Sequence, residues 1–254
     1  MCLIAWRWEP NSEVPLILVA NRDEFYARPT DPLARWDGSP IWAGRDLEGG
    51  GTWLGVTAAG RLAALTNYRD PSMIRSGTPS RGDLVREFLE STLPAEEFVQ
   101  NFLPRAPAYN PFNLVLFDGT TLLACESRGA IFKHFNLEPG VASISNAEFG
   151  SPWPKMNWLR DALAHKLTRE EASDDTLLAL LLNEETAPDG LLPSTGISIE
   201  RERALSSPFI RLQDYGTRAC SLIRLGQDSI HFVERSYDYD GFVSQAVELI
   251  DRHH

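Results

Sequence analysis

The chain has 254 residues, 43% of them hydrophobic, and a formal net charge of −11. That length fills one large domain or two smaller ones, with an ordinary apolar share for a packed core. The acidic balance argues against a nucleic-acid or anionic-membrane surface, because both require clustered Lys and Arg.

In chain order, Cys2, Ile4, Trp6 and Trp8 alternate with Leu3, Ala5 and Arg7, a period of two that predicts a strand. The apolar start breaks at Arg7, too early for a signal-peptide core. Val14 to Ala20 predict a second strand. The polar EPNSE between them makes the pair a hairpin that ends near NRDE, residues 21–24. Residues 52–68 predict strand, turn at Ala59-Gly60, and strand. Residues 80–92 predict a helix capped by Ser80, with Leu84, Val85, Phe88 and Leu89 on one face. A second helix is expected over 95–103.

Residues 113–127 predict a hairpin turned by Asp118-Gly119, where both central residues tolerate positive φ. Residues 128–135 and 141–147 each predict a strand. Residues 152–167 predict a helix with Pro154 in its first turn and a stripe of Met156, Leu159, Leu163 and Leu167. Residues 173–183 predict a helix capped by Ser173. Its run from Leu177 to Leu182 is the longest apolar stretch, far below the ~18 residues of a membrane span. Residues 184–196 form a loop long enough for a mobile lid. Residues 218–236 predict a hairpin turned between Gly226 and Asp228, and residues 240–252 a closing amphipathic helix.

Hairpins interleaved with helices predict an α+β fold: two mainly antiparallel sheets packed face to face with helices outside. We expect one domain over residues 1–254. The three cysteines, Cys2, Cys125 and Cys220, have no CxxC spacing and fit a reducing, cytoplasmic compartment.

Several local features have two readings. EGGGTWLG, residues 48–55, lacks the Lys-Ser/Thr of a phosphate loop and runs into a strand; it reads as a turn that can pass close to a ligand. Of the histidines, His134, His165, His231, His253 and His254, only the frayed terminal pair has close spacing, so no metal site is expected. Asn21, Arg22, Asp23 and Glu24 are either a strand-end ion pair or polar groups delivered beside Cys2 by the hairpin. Asn67 and Asn146 each follow an apolar strand. They are turn residues, or neutral donors to an oxyanion.

Taken together, the segments MCLIAW, LVANRDEFYARP, GGTWLGVTAAGRLAALTNYRD, GTPSRGDLV, YNPFNLVLFD, ISNAEFGSPWPKM, DYGTRACSLI and FVERS resemble the NRDE family, also called the transport and Golgi organisation protein 2 family. The family is similar to N-terminal nucleophile hydrolases near the bile-salt hydrolase and penicillin acylase branch. The resemblance implies a four-layer α-β-β-α sandwich with Cys2 as nucleophile once Met1 is removed, which a small second residue permits. It implies that Asn67 and Asn146 serve as oxyanion donor and holder of the new amino terminus. Arg218 is implied to lie under the thiol and lower its pKa. Related hydrolases place an arginine and an aspartate three positions apart after the second strand. Here Arg22 and Asp23 are adjacent, so either Asp23 or Glu24 anchors the ammonium.

Two functions follow. One is a hydrolase or acyltransferase acting on a small-molecule amide or thioester, with no cofactor required. The other is a non-catalytic haem- or acyl-CoA/lipid-binding trafficking protein, since the family is linked to haem trafficking and lipid homeostasis. In that second case Cys2 is a haem thiolate or redox-sensitive site. Trp6, Trp8, Trp36, Trp42 and Trp53 then line a pocket rather than the core.

Overall fold

The period-two alternation at the start of the chain folds as a hairpin in the computed structural model, which describes residues 1–168 and 172–252. Strand β1 (Cys2–Trp8) pairs antiparallel with β2 (Leu16–Phe25), and β2 pairs on its other side with β11 (Tyr215–Leu225). With β10 (Gly140–Ile144), β12 (Ser229–Asp238) and β13 (Gly241–Asp251) they form a six-stranded sheet in the order β10-β1-β2-β11-β12-β13. A seven-stranded sheet runs in simple succession. It comprises β3 (Thr30–Arg35), β4 (Ile41–Asp46), β5 (Leu54–Thr57), β6 (Leu62–Asn67), β7 (Phe112–Phe117), β8 (Leu122–Arg128) and β9 (Ile131–Asn136).

Alternation along each strand sorts side chains between layers. Leu62, Ala64, Val115 and Phe117 join the core shared with Ile4, Trp8 and Leu18 of the first sheet. Trp8 meets Phe117 edge-on across the gap, with ring centroids 5.2 Å apart. The alternate residues Ala63, Leu65, Leu114 and Leu116 face a second core under α1 (Gly82–Glu90) and α2 (Ala95–Phe102). Helices α3 (Pro154–Thr168) and α4 (Asp174–Leu180) pack on the six-stranded sheet. The result is the α-β-β-α sandwich of an α+β fold. Met156, Leu159 and Leu163 are buried on α3, as their spacing predicts, and the Ser173 hydroxyl caps α4 by accepting from the Thr176 N–H.

The structure corrects the sequence reading at five places. Residues 240–252 are not a helix: β13 extends the sheet, paired with β12 from Ser229↔Asp251 to Asp238↔Gly241. The chain reverses through Gly241, at φ 124°, immediately after β12. A strand there satisfies the open ladder of β12, while Phe242, Val247 and Leu249 stay exposed, so the helical spacing buries no helical face. Strands β3 and β4 were not anticipated. Pro32 falls in a bulge between the Asp31 and Ala34 pairs of an edge strand, which hides the pattern. Helix α1 starts at Gly82 with Arg81 at its N-cap, and the Ser80 side chain makes no cap. Strand β2 runs through NRDE to Phe25. Finally, residues 184–196 lead into a short helix α5 (Ile199–Ala204), to which Glu202 ties them by accepting from the Thr195 N–H and hydroxyl at 2.8 and 2.6 Å. The terminal histidine pair lies outside the described residues.

Candidate active site

Cys2 opens β1, and its register places it against Arg22, which in turn faces Ala219 of β11. The alternation of β2 divides the NRDE segment between the two faces of the sheet. Arg22 and Glu24 turn into a cleft of about 780 Å³ between the ends of the two sheets, which Cys2 also lines. Asn21 and Asp23 take the helix side. There the Asn21 amide donates to the carbonyls of Leu181 (2.8 Å) and Pro208 (2.9 Å).

The far wall of the cleft comes from the other sheet and its loops: Asp46, the glycine-rich turn 49–51, Thr52, Trp53, Asn67 and residues 78–83. The turn reading of EGGGTWLG therefore holds, and the turn lines the cleft. Asp46 takes hydrogen bonds from Arg28 (2.7 Å) and Arg22 (3.2 Å). Burial pushes its carboxyl up, but Arg28 and the Gly49 N–H win and hold it below the usual range. Residues 184–196 supply nothing to this cleft.

Burial pushes the Cys2 thiol up to about 11; the Met1 ammonium and Arg22 pull the other way, and Asp23 and Glu24 reinforce the rise. In this form the sulfur is a thiol at neutral pH. The Met1 carbonyl accepts from the Asp23 N–H at 2.7 Å. The Met1 ammonium donates to the Asp23 carbonyl and, at 2.9 Å, to the Tyr215 hydroxyl. With Met1 in place, the Asp23 carbonyl and the Tyr215 hydroxyl hold its ammonium.

The two asparagines are used differently. The Asn146 Nδ2 donates to the Asn67 carbonyl (2.8 Å), and its Oδ1 accepts from Ser145, whose hydroxyl also reaches the Cys2 carbonyl (2.9 Å). Asn146 thus braces β6 and β1, while Asn67 lines the cleft. Arg218 also borders the cleft, but its guanidinium donates to four backbone carbonyls, those of Phe25, Tyr26, Arg28 and Tyr237, at 3.0–3.2 Å. It fastens the β2–β3 connection, and the Arg22 guanidinium opposes the burial-driven rise of the Cys2 pKa.

Behind the cysteine lies a buried cluster that sequence reasoning missed. The Asp23 Oδ1 accepts from the Thr217 hydroxyl at 2.8 Å. Burial raises its carboxyl, with Lys155 and the Met1 ammonium opposing. Lys155 is 3% exposed, and its Nζ donates to the Leu205 carbonyl at 3.0 Å. Beside them Arg69 Nη1 pairs with Glu202 at 2.7 Å. The clue to Lys155 was its spacing: it precedes Leu159 by four residues and so shares the apolar face of α3. Arg81, in the GTPSRGDLV segment, also lines the cleft and was likewise overlooked.

Arginines and carboxylates make up a large share of the cleft lining, and no described histidine borders it. No group of three His, Cys, Asp or Glu among the described residues is placed to hold a metal ion. Trp6, Trp8, Trp36 and Trp53 are buried among the cores and Trp42 is half-buried; of the five, only Trp53 reaches the cleft. No helix among the described residues is long and apolar enough to cross a membrane.

The fold is shared with a solved N-acylethanolamine-hydrolyzing acid amidase ortholog from Caenorhabditis elegans, at a TM-score of 0.53 and 10% identity, over 89% of this chain and 93% of that one. The likeness is one of fold, that of the N-terminal nucleophile hydrolases. In sequence, the chain is 34% identical to the Transport and Golgi organization protein 2 homolog of Bos taurus and 31% identical to that of Homo sapiens, covering 93% of each chain in both cases. With residues 1–239 also matching the family profile, the chain belongs to the Transport and Golgi organisation 2 family.

Proposed function

We propose that the chain is an N-terminal cysteine hydrolase or acyltransferase that cleaves an amide or thioester through an acyl-enzyme once Met1 is removed. The observation that carries this reading is the position of Cys2: the first residue of an interior strand, its side chain bordering the cleft, one peptide bond from a free α-amino group.

Removal of Met1 gives Cys2 an amine with an ordinary pKa of about 7.7–8. That amine accepts the Sγ proton through a water, and the thiolate attacks the carbonyl carbon. A C–S bond forms and the carbonyl pair moves to oxygen, to which the amide of Asn67, a residue lining the same cleft, would donate. Collapse breaks the C–N bond, or the C–S bond of a thioester, and the leaving group takes the proton from the Cys2 ammonium. Water or another nucleophile then releases the acyl group and restores the thiol. The same proposal places the protein in the cytoplasm, where aminopeptidase acts and thiols stay reduced.

A second reading is favoured by one observation. With Met1 in place, its ammonium bonds to the Asp23 carbonyl and the Tyr215 hydroxyl, and its side chain packs against the cluster of Leu205, Ile210 and Tyr215. In that form the cleft binds an acyl or lipid ligand without turning it over.

Intact-mass spectrometry separates the two. Protein made in its native host should lack Met1, and p-nitrophenyl butyrate should add one butyryl group that Cys2→Ala abolishes. Retained Met1, or acylation that persists in Cys2→Ala, overturns the catalytic reading.

A further inference from the structure

The arginines of the cleft differ in what they are bonded to. Arg22 and Arg28 share Asp46. Arg45 is exposed and lies over the Trp36 ring, 4.7 Å from its centroid. Arg218 is committed to four carbonyls. Arg81 is half-buried, donates through Nη1 to the Pro111 carbonyl at 3.1 Å, and pairs with no carboxylate among the described residues. A guanidinium has five N–H donors and stays charged, so most of its hydrogen-bonding capacity faces the cleft unanswered. Burial lowers its pKa, and a negative charge on Cys2 or Glu24 would oppose that fall.

Its position is also rigid. Arg81 is the N-cap of α1, and the next residue, Gly82, is pressed against the backbone of the glycine-rich turn. A Cβ on Gly82 would stand 3.0 Å from the Thr52 carbonyl oxygen. A cation fixed in this way, in the same cleft as the thiol, selects for an anion attached to the group that the thiol addresses.

We infer that Arg81 binds a carboxylate, and that the cleft takes N-acyl compounds that carry one, such as N-acyl amino acids. The inference rests on the cysteine-centred reading of the cleft. A planar guanidinium matches a carboxylate in a two-bonded fork. A single negative charge is favoured over phosphate because acidic lining residues outnumber the arginines, so a second charge on the ligand meets repulsion.

The test is an equilibrium titration of full-length Cys2→Ala protein, which binds without turnover. The probes are N-decanoylglycine, its methyl ester and inorganic phosphate. The acid should bind about tenfold more tightly than the ester, the worth of one charge-assisted contact. Adding Arg81→Gln should erase that ratio, and Arg81→Lys should restore part of it. Equal affinity for acid and ester, binding of neither, a ratio that survives Arg81→Gln, or competition by phosphate as strong as by the acid overturns the inference. Where Arg81→Gln fails to fold, Arg81→Lys decides alone: the ratio must fall several-fold, and an unchanged ratio overturns the inference. Acyl-enzyme formation is read separately in the Met1-free chain with Cys2 intact, so failure of the catalytic reading and failure of the carboxylate subsite remain distinguishable.

Discussion

A cysteine beside three charged residues in a row has several possible neighbours, and which one it meets depends on strand parity. Arg22 stands opposite Cys2, so Arg22 and Glu24 share its face, while Asp23 points to α3. There it faces Lys155, whose ammonium burial draws down from 10.5 to about 8 while Asp23 holds it up. The folded chain therefore releases this proton near pH 8, but the unfolded chain keeps it to about 10.4. Between those values the unfolded state binds more protons, so the lysine's contribution to stability rises with pH. Below about pH 8 both states are protonated and the burial penalty is present in full. Urea unfolding across this window should show the native protein gaining up to about 3 kcal/mol relative to Lys155→Met. A difference that stays constant across the window would refute the assignment.

At the scale of elements, the cleft wall depends on two backbones in contact. A Cβ at Gly51 would lie 2.6 Å from the Gly82 carbonyl carbon and 2.7 Å from its oxygen. Neither backbone atom can rotate away, so Gly51→Ala must separate the glycine-rich turn from the start of α1. We expect it to cost about 1–3 kcal/mol of stability, as overpacking does, and to weaken the acid-over-ester preference by shifting Arg81. Gly190→Ala is the control. A Cβ there meets nothing within 4 Å, and the change should stay within about 0.5 kcal/mol in thermal unfolding. The helices α1 to α4 were legible because apolar spacing and, at Ser173, a capping hydroxyl act within a few residues. Strand β13 was not: its spacing suits a helix, and only the unpaired edge of β12 decides for a strand.

At the scale of the whole molecule, the two sheets share a core through residues such as Trp8 and Phe117. We expect the 254 residues to unfold as one unit because this contact joins β1 to β7 across more than a hundred residues of chain. Phe117→Ala should lower stability by about 3–5 kcal/mol and shift a single transition, seen alike by far-UV circular dichroism and tryptophan fluorescence. Two separated transitions would divide the chain into two units.

The amino-acid sequence alone determined most of the hairpins, the four longer helices, the α+β class and the place of Cys2 at the head of a strand. Each of these follows from alternation, apolar spacing or turn residues acting over a few positions. The tertiary structure alone decided which NRDE side chains share the face of the thiol, with Arg22 opposite it in the ladder. It also decided that Lys155 supports Asp23, that Arg81 has no carboxylate partner among the described residues, and that the chain ends in a strand. These outcomes rest on register and burial among residues far apart in the chain, such as Asp23 with Thr217. No local pattern encodes such a pairing, because its energy exists only once the sheets have assembled.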